Sequence, residues 1–313
     1  YGFGRARLTG QATELGVSAI AVGTADEIAD VAPVFDRDIL VLQPYQPAVD
    51  GDLPPLAEDD ARVIRTAATL EGLRALTGRR VVVEVLSSVQ RFGFTRAQLG
   101  LLGPLLEEVR LEGFALHLPM ERGLRSHVEE VADTLSALRS ADLTPGTVWV
   151  SHLTPSELGE LGAAHPDVAL RSRVGTRLWL GDRGAAVVRA SVLAAHALRK
   201  GDRYGYRQRK APGTGTLLVV SGGTAHGVAL SAPASPGGIV QRVKVAGIGS
   251  LEAVGRSLSP FHVDGGQRWF AEPPHMQVSL LWLPDGVTVP PVGGEVDVDV
   301  RMTTTTVDRV VET

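Results

Sequence analysis

Apolar runs of strand length recur along the first half of the chain, at Ala19–Gly23, Ile39–Leu42, Val63–Arg65, Val81–Leu86, Gly113–Leu118 and Thr147–His152, with a longer one at Val168–Leu180. Between them fall segments whose apolar residues repeat at helical spacing: Ala25–Val31, Thr69–Leu76, Arg96–Val109, Val128–Ser140 and Ser156–Ala164. Alternation at spacings suited to right-handed crossovers predicts a parallel sheet with helices outside it. The amphipathic stretch Arg5 to Leu15 follows a glycine-punctuated turn, Tyr1-Gly2-Phe3-Gly4, so the chain opens where a strand is expected to have just ended. With that strand restored upstream there would be eight units, and eight units close a βα barrel. A TIM-like α/β barrel whose first strand is missing from this chain is therefore the expected architecture, and an open doubly wound sheet is the alternative.

After about Arg183 the pattern changes. Glycine and proline become dense, as in Pro212-Gly213-Thr214-Gly215, Pro236-Gly237-Gly238 and Pro290-Pro291-Val292-Gly293-Gly294, and short β-rich runs such as Leu217–Val220, Val278–Leu283 and Val296–Val300 take over. Two domains are expected, a βα barrel over 1–183 and a mostly β C-terminal domain over 184–313. Val296, Val298 and Val300 alternate with Asp297, Asp299 and Arg301, the pattern of a strand with one wet face. The two aspartates of that face would meet solvent rather than a metal, since side chains two apart on a strand share one side.

Composition narrows the function classes. The 313 residues can bury a large core, and a net charge of −4 with 44% hydrophobic residues fits an ordinary globular protein. The absence of cysteine excludes disulfides and zinc–thiolate sites and fits a reducing compartment, so a cytoplasmic location is expected. No apolar run approaches the ~18 residues that would suggest a membrane span. Arginine outnumbers lysine 28 to three, the lysines being Lys200, Lys210 and Lys244. The basic run Arg199 to Lys210 sits in an acidic chain without an RNA-binding module, so no nucleic-acid partner is expected. Gly213-Thr214-Gly215-Thr216 lacks the ending of a P-loop and reads as a turn, and Glu58-Asp59-Asp60-Ala61-Arg62 reads as a solvated loop.

In a βα barrel the residues that do chemistry stand at the carboxyl ends of the strands. The polar residues there are few: Tyr1, Glu84, Arg91, His117, His152, Ser156 and Arg173. A carboxylate set among apolar residues, as Glu84 is, needs a cation if buried, and Arg91, seven residues on, is the candidate. A histidine at a strand end can equally be a satisfied structural group. Thr154 or Ser156 fits a helix cap before Glu157, and a helix start beside a hydroxyl is also an anion site. Gly175-Thr176 offers a second close backbone approach for a phosphate. Two such loops from neighbouring units suggest a phosphorylated ligand.

The same residues carry a resemblance to the alanine racemase family. Tyr1-Gly2-Phe3-Gly4 resembles the tail of its signature, a lysine followed by a small residue and then Tyr-Gly-His-Gly, and Ala19–Ile28 is similar to its second βα unit. Gln90-Arg91-Phe92-Gly93 resembles its Met-x-Arg-x-Gly loop, Gly113-Phe114-Ala115-Leu116-His117 its Gly-x-x-x-His, and His152-Leu153-Thr154-Pro155-Ser156 its His-x-Ala-Asn-Ser. Arg173-Val174-Gly175-Thr176-Arg177-Leu178-Trp179-Leu180-Gly181 resembles Arg-x-Gly-Ile-x-Leu-Tyr-Gly. Further on, Lys200-Gly201-Asp202-Arg203-Tyr204-Gly205-Tyr206 looks like the segment that carries the base tyrosine, and Pro274-His275-Met276-Gln277 falls where the family has Cys-Met-Asp-Gln.

The resemblance implies a fold type III pyridoxal-phosphate enzyme, an amino-acid racemase that interconverts L and D forms by proton transfer at Cα between two bases. On that reading Tyr1, Ser156, Gly175 and Thr176 hold the phosphate, His117 lies against the pyridine ring, His152 orients Arg173, and Arg173 donates to the pyridine nitrogen. Tyr206 would be one base, supplied across a homodimer with shared sites. The other is the Schiff-base lysine, implied about four residues before Tyr1. Glu84 stands where many members carry a carbamylated lysine paired with the arginine matching Arg91, and Met276 would offer its backbone N–H to the substrate carboxylate. Gln277 in place of the family aspartate, Arg207 in place of glycine and the lack of a C-terminal tyrosine leave open which small amino acid is the substrate. Two alternatives remain: another enzyme of the fold type, such as a decarboxylase or aldolase, although such decarboxylases place a carboxylate where Arg173 stands, and a non-catalytic cofactor-binding regulator.

Overall fold

The computed structural model describes residues 1–58, 60–121, 123, 125–182, 184–229 and 257–312. Asp59 of the acidic run, Arg183 at the expected domain boundary, Pro236-Gly237-Gly238 and Lys244 lie outside the described residues. The chain falls into two compact units, Arg5–Gly175, and Thr176–Thr313 together with Tyr1–Gly4.

The first unit is a seven-stranded parallel sheet, β1 (Ala19–Val22), β2 (Asp38–Pro44), β3 (Val63–Ala67), β4 (Arg80–Glu84), β5 (Arg110–Leu116), β6 (Thr147–Ser151) and β7 (Ala169–Arg173), paired in chain order. It forms a half-barrel that alternates with helices. These are α1 (Arg5–Glu14), α2 (Ile28–Val31), α3 (Pro47–Asp50), α4 (Leu70–Ala75), α5 (Arg96–Leu99), α6 (Gly103–Leu106), α7 (His127–Ser140) and α8 (Pro155–Ala164). The two faces of the sheet explain the unbroken apolar runs. Val81, Val83, Phe114, Leu116, Val148 and Val150 form one core with Leu73, Leu99, Leu135, Leu138 and Leu161 of the helices. Leu40, Ile64, Val82, Ala115 and Trp149 form a second core on the opposite face. Strands covered on both sides need no polar alternation.

Three layers of side chains cross that inner face. At the amino ends of the strands Arg80 pairs with Asp38 at 2.5 Å and with Glu112 at 2.6 Å. The apolar layer follows, and the carboxyl ends present Glu84, His117, Ser151 and Arg173. Glu112 can share a face with Arg80 because β5 carries a register shift there. The shift turns on Gly113, whose φ of 124° lies outside the range of ordinary residues and whose Cβ, if present, would stand 2.2 Å from the Thr147 carbonyl oxygen.

Two expected elements differ. The run Val168–Leu180 is a strand only as far as Arg173, and Thr176–Leu180 forms the short helix α9. An apolar run alone does not distinguish the two conformations, and Gly175 breaks the extended path. The expected helix Arg96–Val109 is split into α5 and α6, because Pro104 starts a new helix rather than continuing one. The Asp60–Arg62 end of the acidic run is also tied down. Arg62 pairs with Asp60 and donates to the carbonyls of Ala32 and Phe35, tying it to the end of α2.

The second unit contains a closed antiparallel barrel of β8 (Arg189–Leu198), β11 (Gly215–Ser221), β12 (Leu258–Val263), β13 (Gly266–Phe270), β14 (Val278–Pro284) and β15 (Glu295–Val298), in the order β11-β14-β13-β12-β15-β8. A small hairpin of β9 (Arg203–Tyr204) and β10 (Arg209–Lys210) stands beside it. Val192, Leu218, Val220, Phe261, Phe270, Leu281, Val296 and Val298 fill the core. Asp297 and Asp299 take the outer positions, Asp297 near Arg189 and Asp299 against His262 at 2.8 Å. Among the described residues no group of three or more His, Asp or Glu could hold a metal ion, and no helix is long and apolar enough to cross a membrane.

Candidate active site

The carboxyl ends of β4 to β7 are stitched together by side chains. Ser87, just past β4, donates its hydroxyl to the His117 carbonyl at 2.5 Å, and the Leu118 N–H donates to the buried Ser151 hydroxyl at 3.0 Å. Ser88 donates through its N–H and hydroxyl to Glu130 on α7, at 2.6 and 2.8 Å. These bonds set the mutual positions of the loops that carry Glu84, His117 and His152. His152 itself has a left-handed backbone, φ 60°, a conformation uncommon for a non-glycine residue and concentrated at functional sites.

Glu84 is buried, and the cation facing it is Arg173, with Nη1 and Oε2 3.6 Å apart. Arg91, the partner expected from sequence, is exposed, lies against the Phe92 ring, and acts on Glu84 only through its field. The correction has a simple cause. Glu84 and Arg173 both end strands whose alternation aims them to the same face, whereas Arg91 leaves on a loop. Burial pushes the Glu84 carboxyl above its ordinary value despite Arg173, Arg91 and the His117 N–H that it accepts. Burial likewise lowers the Arg173 guanidinium, against the attraction of Glu84. Nε and Nη2 of Arg173 are buried without a hydrogen-bond partner among the described residues, which is rare and expensive for a charged group.

The His117 and His152 rings meet edge to face, 5.6 Å between centroids. Partial burial, with the fields of Arg91, Arg173 and His152, lowers His117 to about 4, so its imidazole is neutral at pH 7. His152 is lowered too, by burial, His127 and Arg173. Glu84, Arg91, His117, His152 and Arg173 thus share one electrostatic neighbourhood.

No family model matches the chain, and no curated protein does. Solved structures do. The alanine racemase of Clostridium difficile 630 superposes with a TM-score of 0.65 at 15% identity over 95% of this chain and 77% of the other. The Bartonella henselae alanine racemase with covalently bound pyridoxal phosphate gives 0.64 at 17% identity, over 96% and 81%. That of Bacillus anthracis with bound L-Ala-P gives 0.63 at 18%, over 95% and 75%. The chain has the alanine racemase fold.

Within that fold the remaining residues stand as follows. Ser156 is exposed in the first turn of α8, and its hydroxyl is not used as the cap. Thr154 caps the helix, accepting the Glu157 N–H at 3.2 Å while Glu157 returns a carboxylate to the Thr154 N–H at 2.8 Å. Gly175 follows β7. Tyr1, Thr176, Tyr206 and Met276 belong to the second compact unit, where all four are exposed, Tyr206 by 85%. Sequence reasoning missed Ser87 and Ser151, whose small hydroxyls look like any other, and the buried His127, whose Nε2 has no partner among the described residues. It also missed Glu272, a buried carboxylate that accepts from His275 Nε2 at 2.7 Å. The only trace of that pair in the sequence is one acid before Pro273-Pro274.

Proposed function

We propose that the protein is a pyridoxal-phosphate-dependent amino-acid racemase acting on alanine or a similar small amino acid. The observation that carries the reading is the buried Arg173, whose Nε and Nη2 at the carboxyl ends of the strands have no acceptor among the described residues. A pyridine nitrogen is an acceptor of the right kind, and the neutral His117 beside it is the right kind of surface for an aromatic ring. When bound, the cofactor supplies the electron sink that lets a proton leave Cα.

Arg173 would donate to the ring nitrogen and, being permanently charged, would disfavour its protonation, which would restrain side reactions. Glu84 balances that charge, and His152 helps to hold the guanidinium in place. The Ser156 hydroxyl and backbone N–H bind phosphate, together with the Gly175 backbone. Tyr1 and Thr176 take the phosphate roles that the resemblance gives them, and Arg91 and the Met276 N–H take the substrate carboxylate. Tyr206 holds or releases a proton at its phenol oxygen on one side of Cα. Tyr206 comes from a second copy of the chain in a cytoplasmic homodimer.

The test is incubation of the full-length protein with pyridoxal phosphate and L-alanine in heavy water. Exchange of the Cα proton together with D-alanine is expected, and Tyr206→Phe should lose the product. Cofactor binding without exchange would leave a non-catalytic binding protein, and absence of binding would refute the whole reading.

A further inference from the structure

Tyr206 lies in the turn of the β9–β10 hairpin, and the segment facing it is Ala271–Gln277, between β13 and β14. Tyr204 anchors the hairpin by donating its hydroxyl to the Ala271 carbonyl at 3.1 Å and stacking with Trp282. Arg203 and Gln208 close the turn, Arg203 donating to the Gln208 carbonyl at 2.8 Å and Gln208 to that of Gly205 at 3.0 Å. The Glu272 carboxylate is 3% exposed. Its Oε1 accepts the Tyr206 N–H at 3.3 Å and the His275 Nε2–H at 2.7 Å. The His275 ring then lies against the Tyr206 ring, 4.5 Å between centroids and tilted by 41°. Gly205 makes the arrangement possible. Its φ is 70°, and a Cβ there would stand 2.2 Å from Glu272 Oε2.

A tyrosine 85% exposed would ordinarily sample several rotamers. Here one buried carboxylate fixes both its backbone and a ring that braces its side chain. We propose that Glu272 and His275 are positioning residues for Tyr206, holding its phenol in one orientation for proton transfer at the substrate Cα. The proposal rests on the racemase reading for the transfer itself, while the bracing stands on the geometry alone. The imidazole is held by donating to Glu272, so the brace needs both a flat ring and an acceptor behind it.

The experiment uses the full-length protein labelled with fluorotyrosine, the Tyr206 resonance being assigned by its loss in Tyr206→Phe. Its fluorine shift should be displaced by the His275 ring current, return toward that of an exposed tyrosine in His275→Leu, and move in Glu272→Gln. In steady-state racemisation His275→Leu should lower kcat by about 10- to 100-fold with KM within about twofold, the range expected of misplacement by ~1 Å. His275→Phe, which restores a flat ring, should recover part of the loss. A Tyr206 resonance indifferent to both substitutions overturns the brace, whatever the turnover. A displaced resonance with kcat unchanged in His275→Leu overturns the positioning role. A displaced resonance in a wild-type protein without turnover refutes the racemase reading and the positioning for transfer, and leaves the brace standing.

Discussion

Gly113 links the fold to the candidate site more directly than any other single residue. Substituting alanine would place a Cβ 2.2 Å from the Thr147 carbonyl oxygen and 2.9 Å from its carbon, where the closest real Cβ contacts begin near 3.0 Å. The obstacle is backbone of the neighbouring strand, so relief requires β5 and β6 to part by most of an ångström or the bulge to be lost. Holding an alanine at φ 124° adds a strain of about 1–3 kcal/mol. Overpacking of this kind adds about 1–3 kcal/mol more. Gly113→Ala is therefore expected to destabilise by about 2–6 kcal/mol, a large fraction of the net stability of an ordinary domain. The effect should reach the site, because His117 and His152 follow the displaced strands and Glu84 accepts the His117 N–H. Urea unfolding followed by far-ultraviolet circular dichroism measures the first effect, and titration with pyridoxal phosphate the second. Unfolding within about 0.5 kcal/mol of wild type, the range of ordinary surface changes, would refute the reasoning, since neither a positive φ nor a backbone clash could then be present.

Three further outcomes follow from the same geometry. The His117 ring, followed by NMR, should titrate at about 4 rather than at 6.5, and because the unfolded state binds its proton first, stability should fall as pH drops from 6.5 toward 4; a midpoint near 6.5 would remove the buried neutral imidazole from the site. Glu84 has the opposite sign: its folded value is raised above 4.5, so the native state holds the extra proton and this contribution is lost as pH rises through the folded value. Glu84→Gln should abolish that part of the pH slope, lower stability at neutral pH because Arg173 loses its counter-ion, and weaken cofactor binding; an unchanged slope in urea midpoints would count against it. Thr154→Ala should destabilise α8 by about 1 kcal/mol in the same unfolding assay, whereas Ser156→Ala should not, since only Thr154 caps the helix.

The sequence by itself determined the layout. Runs such as Val81–Leu86 and Thr147–His152 are largely apolar on both faces, as a covered parallel sheet requires, so the alternating βα layout and the change to β structure in the second half were legible. So was the row of polar residues at the strand ends, because a strand's carboxyl terminus follows from its span. Conformation within a short apolar run was not, which is why Thr176–Leu180 reads as strand in the sequence and folds as helix.

Pairing was decided only by the tertiary structure. Glu84 and Arg173 are 89 positions apart, and the register of three intervening strand pairs brings them to 3.6 Å, whereas proximity in sequence pointed to Arg91. Glu272 acquires its meaning only when a glycine with positive φ lets a hairpin tip settle on its carboxylate. Hydrophobic periodicity is a local property that each segment carries alone, while the partner of a buried charge depends on how distant segments meet, and no pattern along the chain encodes that directly.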